Sequence, residues 1–451
     1  MKTKPKIPTL FWILMFFIAG CQKEELPNDA VLKESSLQAE SEKAALSHTK
    51  QYSGEVANSW FSMLSDLSKE TPYVPPQAAR LFAYSGMALY ESVVPGMPSY
   101  QSMYTYLTGN EIEVGKKKDY YWPASANAAM ARLTTRLLSD YPQPVNLEAI
   151  VELESGFNAE FLSSISAEQL AYSQEFGRKV ADAIYEWSTT DGTFSPCSPY
   201  IPSGEPGSWQ PTPPDYYPAA GVCQGDLRTF VPGIADYAMP PAPPTYSEDP
   251  ASDFYKMNEE IYLISQNLTS EEVLVSHAWE DIFFTNYNVP SHMIKLTTKI
   301  ASDEDINLKD GALLYVQAGL AMFDAIIASV GAKYEYTLLR PVTYIEDVMG
   351  HVGWVGVYPA PQHPSYPSVA PSAAGAIVEI LEQTFGTSYH FVDDIQEDVY
   401  GTWTYDSFDE LLLDVGRSRT LSGINYQVSV DAGMTLGRVV GEKVSSLPFK
   451  K

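Results

Sequence analysis

The chain has 451 residues, of which 56 are acidic and 29 are Lys or Arg, so its formal net charge at pH 7 is −27. This acidic balance excludes the cationic surface that nucleic-acid binding requires, and anionic membrane surfaces repel it. Any anion that the chain binds must therefore be attracted by a local cluster of Arg and Lys against an unfavourable overall field. A basic cluster is more informative here than in a neutral protein.

The first twenty residues have the pattern of a secretory signal peptide. Lys2, Lys4 and Lys6 precede an apolar run over residues 10–19 that is too short to span a bilayer. The run leads into Ala-Gly-Cys, where Cys21 has the position of the lipid-carrying cysteine of a lipoprotein; the alternative is an ordinary signal peptide with a chance cysteine. The following Gln-Lys-Glu-Glu resembles a short surface-export tag. We predict an outer-membrane lipoprotein that is anchored through Cys21 and faces the cell exterior or the periplasm.

Helical periodicity dominates the chain beyond a polar segment. Residues 21–50 are charged and poor in aromatics, which predicts a disordered tether, and residues 51–451 are predicted to form a single helical domain. Alternating strand patterns are nearly absent, so the predicted fold class is all-α, a large helical bundle in two halves around a long loop. Apolar stripes at helical spacing begin near Val56 and recur over 77–93, 124–139, 147–163, 167–188, 252–267, 269–280, 290–302, 309–332, 371–385, 407–422 and 431–446.

The long loop covers residues 193–250, where Pro, Gly and Tyr dominate. Loops of this length within a domain are typically functional or wrap a surface. The loop contains Cys197 and Cys223, the two cysteines that remain besides Cys21. In an exported chain this pair predicts a disulfide, with two buried free thiols as the alternative.

Three separated segments carry residues that suit oxyanion chemistry. In the first, Lys333 is followed after six residues by Arg340-Pro341; taken alone, this segment favours a solvated helix end over a binding site. The second is Pro-Ser-Tyr-Pro-Ser-Val-Ala over residues 364–370, which leads into a predicted helix whose N-terminus can receive an oxyanion. The third runs from Ser418-Arg419 to Asn425-Tyr426.

In this order and spacing the segments resemble the superfamily of vanadium-dependent haloperoxidases and type 2 phosphatidic acid phosphatases. Its signature is Lys-x6-Arg-Pro, then Pro-Ser-Gly-His, then Ser-Arg-x5-His-x3-Asp. The likeness extends over about residues 55–446, with the phosphatase-like core at about 270–446. It implies that Lys333, Arg340, Ser368 and Arg419 form a cradle for the oxygens of vanadate or phosphate. It also implies a possible homodimer.

The reactive positions of the signature depart from the family. The resemblance places Val369-Ala370 where the family has Gly-His, Asn425 where it has the vanadium-ligating or nucleophilic His, and Ser429 where it has the orienting Asp. A methyl group cannot transfer a proton, and an amide nitrogen has no lone pair with which to ligate vanadium or attack phosphorus. The sequence predicts no metal ligand at the vanadate position.

One imidazole remains close to the signature in sequence. His363 either reaches the anion site or is a polar loop histidine. Three functions follow: a catalytically impaired protein that binds a small oxyanion or an oxyanion-bearing ligand, an active haloperoxidase or phosphatase that uses His363, or a surface protein with an interaction role. Asp324 is predicted to fix a loop or the Lys/Arg network, or else to lie on a helix surface.

Overall fold

The computed structural model describes residues 48–117, 119–143 and 145–451. The predicted signal peptide, Cys21 and the predicted tether as far as residue 47 lie outside the described residues. The described residues form one compact unit.

Helices with apolar faces build the N-terminal half. All except the short α3 have the periodic stripe that their sequence predicts, because the buried residues of a packed helix recur every three or four positions. A short 3₁₀ turn at Thr49–Gln51 precedes them. The helices are α1 (Glu55–Glu70), α2 (Pro75–Val93), α3 (Met103–Thr108), α4 (Trp122–Ser139), α5 (Glu148–Phe161) and α6 (Ala167–Ser188).

The C-terminal half follows the long loop. It contains one small antiparallel hairpin, in which β1 (Phe391–Asp393) pairs with β2 (Trp403–Tyr405). Its helices are α7 (Ile234–Tyr237), α8 (Asp253–Ser265), α9 (Ser270–Ala278), α10 (Val289–Asp303), α11 (Leu308–Tyr336), α12 (Pro341–Asp347), α13 (Val369–Phe385), α14 (Glu397–Tyr400), α15 (Phe408–Leu421) and α16 (Gln427–Ser445). The all-α fold class predicted from the sequence is confirmed.

Helix α11 is the central element that joins the two halves. It is long and apolar enough to cross a membrane, but 89% of its most apolar window is buried inside the protein, so it is a core helix. It packs closely on α2, because Gly319 and Gly86 allow backbone to approach backbone: a Cβ at Gly319 would lie 2.8 Å from the Phe82 carbonyl oxygen. Lys333 lies in the last turn of this helix.

The Pro/Gly/Tyr-rich loop is attached to α11 rather than projecting from it. Asp324, which is fully buried, accepts hydrogen bonds from the backbone N–H groups of Phe230 and Val231, both at 2.8 Å. Trp209 is buried, and its backbone N–H donates to the Thr337 carbonyl at 2.6 Å. Asp324 therefore holds the loop against α11, which is one of its predicted roles, and the helix-surface alternative is wrong.

Some elements were not predicted from the sequence. Helices α3, α7, α12 and α14 have four to seven residues each, which is too short for a periodic stripe to be recognised. Helix α16 begins at Gln427, four residues before the predicted start, and in its first turn the Ser429 carbonyl accepts a hydrogen bond from the Ser368 backbone N–H at 2.8 Å. A Cβ at Gly433 of α16 would overlap the carbonyl oxygen of Ser368.

Candidate functional site

The four residues that the sequence assigns to a cradle line one cavity of about 610 Å³. Each comes from a different element. Lys333 lies in the last turn of α11, Arg340 is the residue before α12, Ser368 is the N-cap of α13, and Arg419 lies in the last turn of α15. A lysine or arginine in a final helical turn is favoured by the helix dipole. The chain therefore brings together four residues that span 86 positions of sequence.

The three cations of the cradle are buried without a counter-ion. Lys333 and Arg340 are each 1% exposed and Arg419 is 4% exposed. Within the described part of the chain, none of them has a carboxylate within ion-pair distance. Burial and the charge of Arg340 lower the pKa of Lys333 well below its usual range, and burial lowers the pKa of Arg340 to about 9. Buried charges are normally paired, so this cluster lacks an anion.

Backbone carbonyls hold the cations in place but leave donors free. Lys333 Nζ donates to the Pro364 carbonyl at 2.6 Å. Arg340 Nε donates to the His363 carbonyl at 2.8 Å, and its Nη1 donates to the Ile424 carbonyl at 2.7 Å. Arg419 donates to the Trp279 carbonyl and, at 3.0 Å, to Ser418 Oγ. A guanidinium has five N–H donors, so each arginine keeps at least two for a ligand.

The N-terminus of α13 adds backbone donors. The first N–H groups of a helix have no partner within the helix, and here they belong to Val369 and Ala370, which line the cavity. The N-cap residue Ser368 does not satisfy them, because its hydroxyl donates to Asn425 Oδ1 at 3.2 Å. Helix N-termini attract anions, and these N–H groups do not depend on the side chains at 369 and 370.

Asn425, which the motif resemblance aligns with the family's reactive histidine, is hydrogen-bonded through both its amide nitrogen and its amide oxygen. Its amide nitrogen donates to the Ser365 carbonyl at 2.7 Å and to Ser365 Oγ at 3.1 Å. Its amide oxygen accepts from Ser368. Ser429, at the position of the orienting Asp, is fully buried, and its Oγ lies 3.3 Å from Ser365 Oγ. The side chains therefore form a neutral hydrogen-bond network without a free lone pair on nitrogen.

These contacts decide how vanadate fits the site. The cations and the backbone donors suit the equatorial oxygens of vanadate or phosphate. The apical bond to a histidine nitrogen has no equivalent, because the Asn425 nitrogen is an amide that already donates two hydrogen bonds. In the described part of the chain, no group of three or more His, Cys, Asp or Glu is arranged to hold a metal ion. The residues fit a hydrogen-bonded oxyanion and do not fit a coordinated vanadium.

His363 lines the same cavity and contacts the cradle. Its Nδ1 lies 3.0 Å from Arg340 Nη2, which can only donate, and 3.3 Å from the Pro364 carbonyl oxygen, which can only accept. Burial and the charges of Lys333 and Arg340 lower the pKa of His363 well below its usual range. The imidazole is therefore neutral, and its Nδ1 contacts both Arg340 and the Pro364 carbonyl. His363 is thus a loop residue whose side chain reaches the cavity.

Carboxylates and apolar walls are the part of the cavity that the sequence did not indicate. Glu280 and Asp281, which follow α9, line the cavity, and so does Asp215 in the long loop. Glu280 and Asp281 end the sequence His277-Ala-Trp-Glu-Asp281, and the spacing of that sequence alone does not predict that it lines the cavity. Prolines and aromatics supply much of the remaining wall: Pro75, Pro76, Pro213, Pro214, Tyr217, Phe283, Pro290, Tyr334, Tyr358, Pro359 and Pro361.

Other histidines have structural partners. His292 is buried, and its Nε2 lies 2.7 Å from Asp393 Oδ2 in the hairpin. His277 Nδ1 lies 2.7 Å from Glu280 Oε2. His351 stacks on Tyr262 with ring centroids 3.8 Å apart, and His390 contacts Asp406 on the surface. The structure accounts for these four rings without ligand binding.

Cys197 and Cys223 are joined by a disulfide across 26 positions of the long loop. Cys223 lies in a 3₁₀ turn, Val222–Asp226, whose Gln224 lines the cavity. The disulfide therefore lies beside one cavity wall.

Comparison with known proteins supports the relationship that the motifs indicate. The family model described as "VCPO second helical-bundle domain" matches residues 313–448. No curated protein matches the chain. Among solved structures, the chain is similar to the first bacterial vanadium-dependent iodoperoxidase, with a TM-score of 0.77 and 26% identity over 87% of this chain and 96% of that one.

Two bacterial vanadium-dependent chloroperoxidase structures are also similar. The holo-type structure has a TM-score of 0.65 and 15% identity over 84% of this chain and 93% of that one. The apo-type structure has a TM-score of 0.61 and 14% identity over 83% and 95%. At these identities the two chloroperoxidases demonstrate a shared fold. The helical-bundle match over residues 313–448 and the likeness to the iodoperoxidase support the vanadium haloperoxidase superfamily as the relationship of this chain.

Proposed function

We propose that this protein binds an oxyanion, or a ligand that carries one, and that it has lost the ordinary chemistry of its superfamily. One observation carries the proposal. Three buried cations, with no described carboxylate within ion-pair distance, line the cavity at a helix N-terminus, while the two positions of the family's reactive imidazoles hold Asn425 and Ala370. An anion would supply the charge that the cluster lacks. The residues that would ligate vanadium or transfer a proton are absent from those positions.

The size and walls of the cavity favour a ligand larger than a free anion. Cavities of about 300–1,000 Å³ accommodate drug-sized organic molecules, and this one has about 610 Å³. Phosphate, vanadate, sulfate and phosphorylated or sulfated carbohydrate all satisfy the charges. The proline and aromatic walls suit the organic part of a phosphate or sulfate ester.

Isothermal titration calorimetry with phosphate and vanadate tests this function. We expect binding to the wild-type protein and a large loss with Arg419→Ala, which removes at least two free donors. Arg417→Ala is the matched control, because Arg417 lies on the same helix but is 54% exposed and pairs with Glu272. Absence of binding to the wild-type protein, or equal binding by both variants, would refute the proposal.

A second candidate is an enzyme with altered chemistry that uses His363. The contact between His363 Nδ1 and Arg340 in the cavity favours it. If this candidate is correct, the wild-type protein oxidises halide with peroxide and vanadate, or hydrolyses an aryl phosphate. Activity that disappears in His363→Ala would establish this candidate over the binding role. A lack of turnover in both proteins would leave the binding role as the function.

A third role is interaction with a surface partner through the Tyr/Pro-rich loop. Partner capture that survives simultaneous replacement of Lys333, Arg340 and Arg419 would support it.

We also propose the outer-membrane location with a lipid on Cys21, supported by the Ala-Gly-Cys pattern and tested by fatty-acid labelling of wild type and Cys21→Ala. A homodimer, implied by the resemblance, is tested by light scattering.

A further inference from the structure

Asp281 is a carboxylate beside the cradle that the oxyanion-binding role does not yet use. It lies in the segment between α9 and α10 and lines the cavity. Its Oδ1 accepts from the Val289 backbone N–H at 3.3 Å, at the start of α10. Arg419 donates to the carbonyl of Trp279, two residues before Asp281. The carboxylate and the cation therefore belong to one corner of the cavity.

This carboxylate is not neutralised by the protein. Asp281 is exposed to the cavity and forms no ion pair with Arg419 or any other described cation. Its second oxygen has no hydrogen-bond donor among the described residues. Its neighbour Glu280 differs, because His277 already contacts that carboxylate.

The cradle and Asp281 make opposite demands on a ligand. Lys333, the two arginines and the N–H groups of α13 only donate hydrogen bonds, whereas an ionised carboxylate only accepts them. A fully deprotonated anion next to Asp281 meets like charge, which is unfavourable in a buried site. An anion that carries a proton can donate it to Asp281, and the two groups then share one proton.

We propose that Asp281 makes the site selective for oxyanions that carry a proton near neutral pH, namely phosphate, vanadate and phosphate monoesters, over sulfate and sulfate esters. The proposal rests on the oxyanion-binding function proposed above. A phosphate monoester qualifies because its second pKa is about 6, so it can take up a proton on binding. A sulfate ester has no comparable protonation near neutral pH.

Calorimetry with pairs of anions tests this selectivity. Vanadate and molybdate form the first pair, because both are tetrahedral anions but only vanadate is protonated near neutral pH. Phosphate and sulfate form the second pair, and phenyl phosphate and phenyl sulfate form the third. We expect the wild-type protein to prefer the protonated member by about tenfold or more. Asp281→Asn keeps an oxygen for the Val289 N–H and should reduce the preference to about threefold or less. Asp303→Asn, an exposed aspartate paired with Lys299, is the control for net charge and should keep the full preference.

The outcomes separate the two proposals. Equal affinity for both members of each pair in the wild-type protein, or an unchanged preference in Asp281→Asn, overturns the role of Asp281 and leaves oxyanion binding intact. Absence of binding by all six ligands overturns oxyanion binding and the selectivity that rests on it. Retained circular dichroism and thermal midpoint in Asp281→Asn show that a lost preference is not a folding defect.

Discussion

Arg340→Met is the substitution that most directly tests whether the buried cations bind an anion. Arg340 is 1% exposed, has no carboxylate partner among the described residues, and keeps two of its five N–H donors free. Methionine preserves much of the apolar stem and removes the charge. The unliganded variant loses hydrogen bonds to the carbonyls of His363 and Ile424 but is relieved of an uncompensated buried charge. These effects oppose each other, so we expect a small net change in unliganded stability.

The effect on ligand binding should be much larger. A hydrogen bond to a charged group contributes about 1.5–3 kcal/mol, so losing two weakens binding by about a hundredfold or more. A ligand at 100 times the wild-type Kd stabilises the wild-type fold by about 2.7 kcal/mol. The same concentration would equal the Kd of the variant and stabilise it by only about 0.4 kcal/mol.

Denaturant unfolding with and without phosphate measures this difference. Arg132→Met is the matched control, because Arg132 is 45% exposed and forms a surface ion pair with Asp182. The control should keep the full phosphate-dependent stabilisation, since exposed ion pairs contribute about 0–1 kcal/mol and do not touch the site. Equal phosphate-dependent stabilisation of wild type and Arg340→Met would refute the assignment of Arg340 to the cradle.

Three further predictions concern the fold that supports the site. Gly433→Ala places a Cβ on the Ser368 carbonyl oxygen and should destabilise the protein by about 1–3 kcal/mol in thermal unfolding. Gly156→Ala, in open space on α5, should instead stabilise it by about 0.5–1 kcal/mol, and the reverse order would contradict the packing. Burial raises the pKa of Glu91 to about 7, above its ordinary 4.5, so the folded state binds the proton more tightly and stability falls as the pH rises through that window. Glu91→Gln should therefore match wild type near pH 4 and exceed it by about 1–3 kcal/mol near pH 8; denaturant midpoints that differ equally at both values would disprove this. Replacing Cys197 and Cys223 by Ser should lower the free energy of unfolding by about 3–4 kcal/mol for a closed loop of 26 positions, and an unchanged midpoint would show that the disulfide does not constrain the loop.

Restoring the family residues at four positions tests whether their replacement removed the catalytic activity. The variant Val369→Gly, Ala370→His, Asn425→His and Ser429→Asp supplies the proton-transfer group, the vanadium ligand and its orienting partner. The side chain at 370 faces the cavity, so a histidine there has space. Positions 425 and 429 are buried and hydrogen-bonded to Ser365, so the network around them must rearrange. We expect weak vanadate-dependent halide oxidation that the wild-type protein lacks; higher activity in the wild-type protein would contradict the binding role.

The sequence determined the features that depend on local pattern. A helix with one buried face repeats its apolar residues every three or four positions, so the long helices, including α11 around Asp324 and Lys333, follow from the printed residues alone. The substitutions at Ala370 and Asn425 are also properties of the sequence, once the spacing of the signature fixes the register. Short segments such as α12, with seven residues, contain too few turns to show a period.

Only the tertiary structure decided what surrounds the cradle. Periodicity identifies which face of a helix is buried but not which distant residue it meets, because that depends on how the helices pack. The structure supplied three facts: no described carboxylate lies within ion-pair distance of the cations, His363 Nδ1 contacts Arg340, and Asp281 lines the same cavity as Arg419. Each is a contact between segments more than twenty residues apart, and the free energy of such a contact is set by burial and neighbouring charge rather than by local sequence.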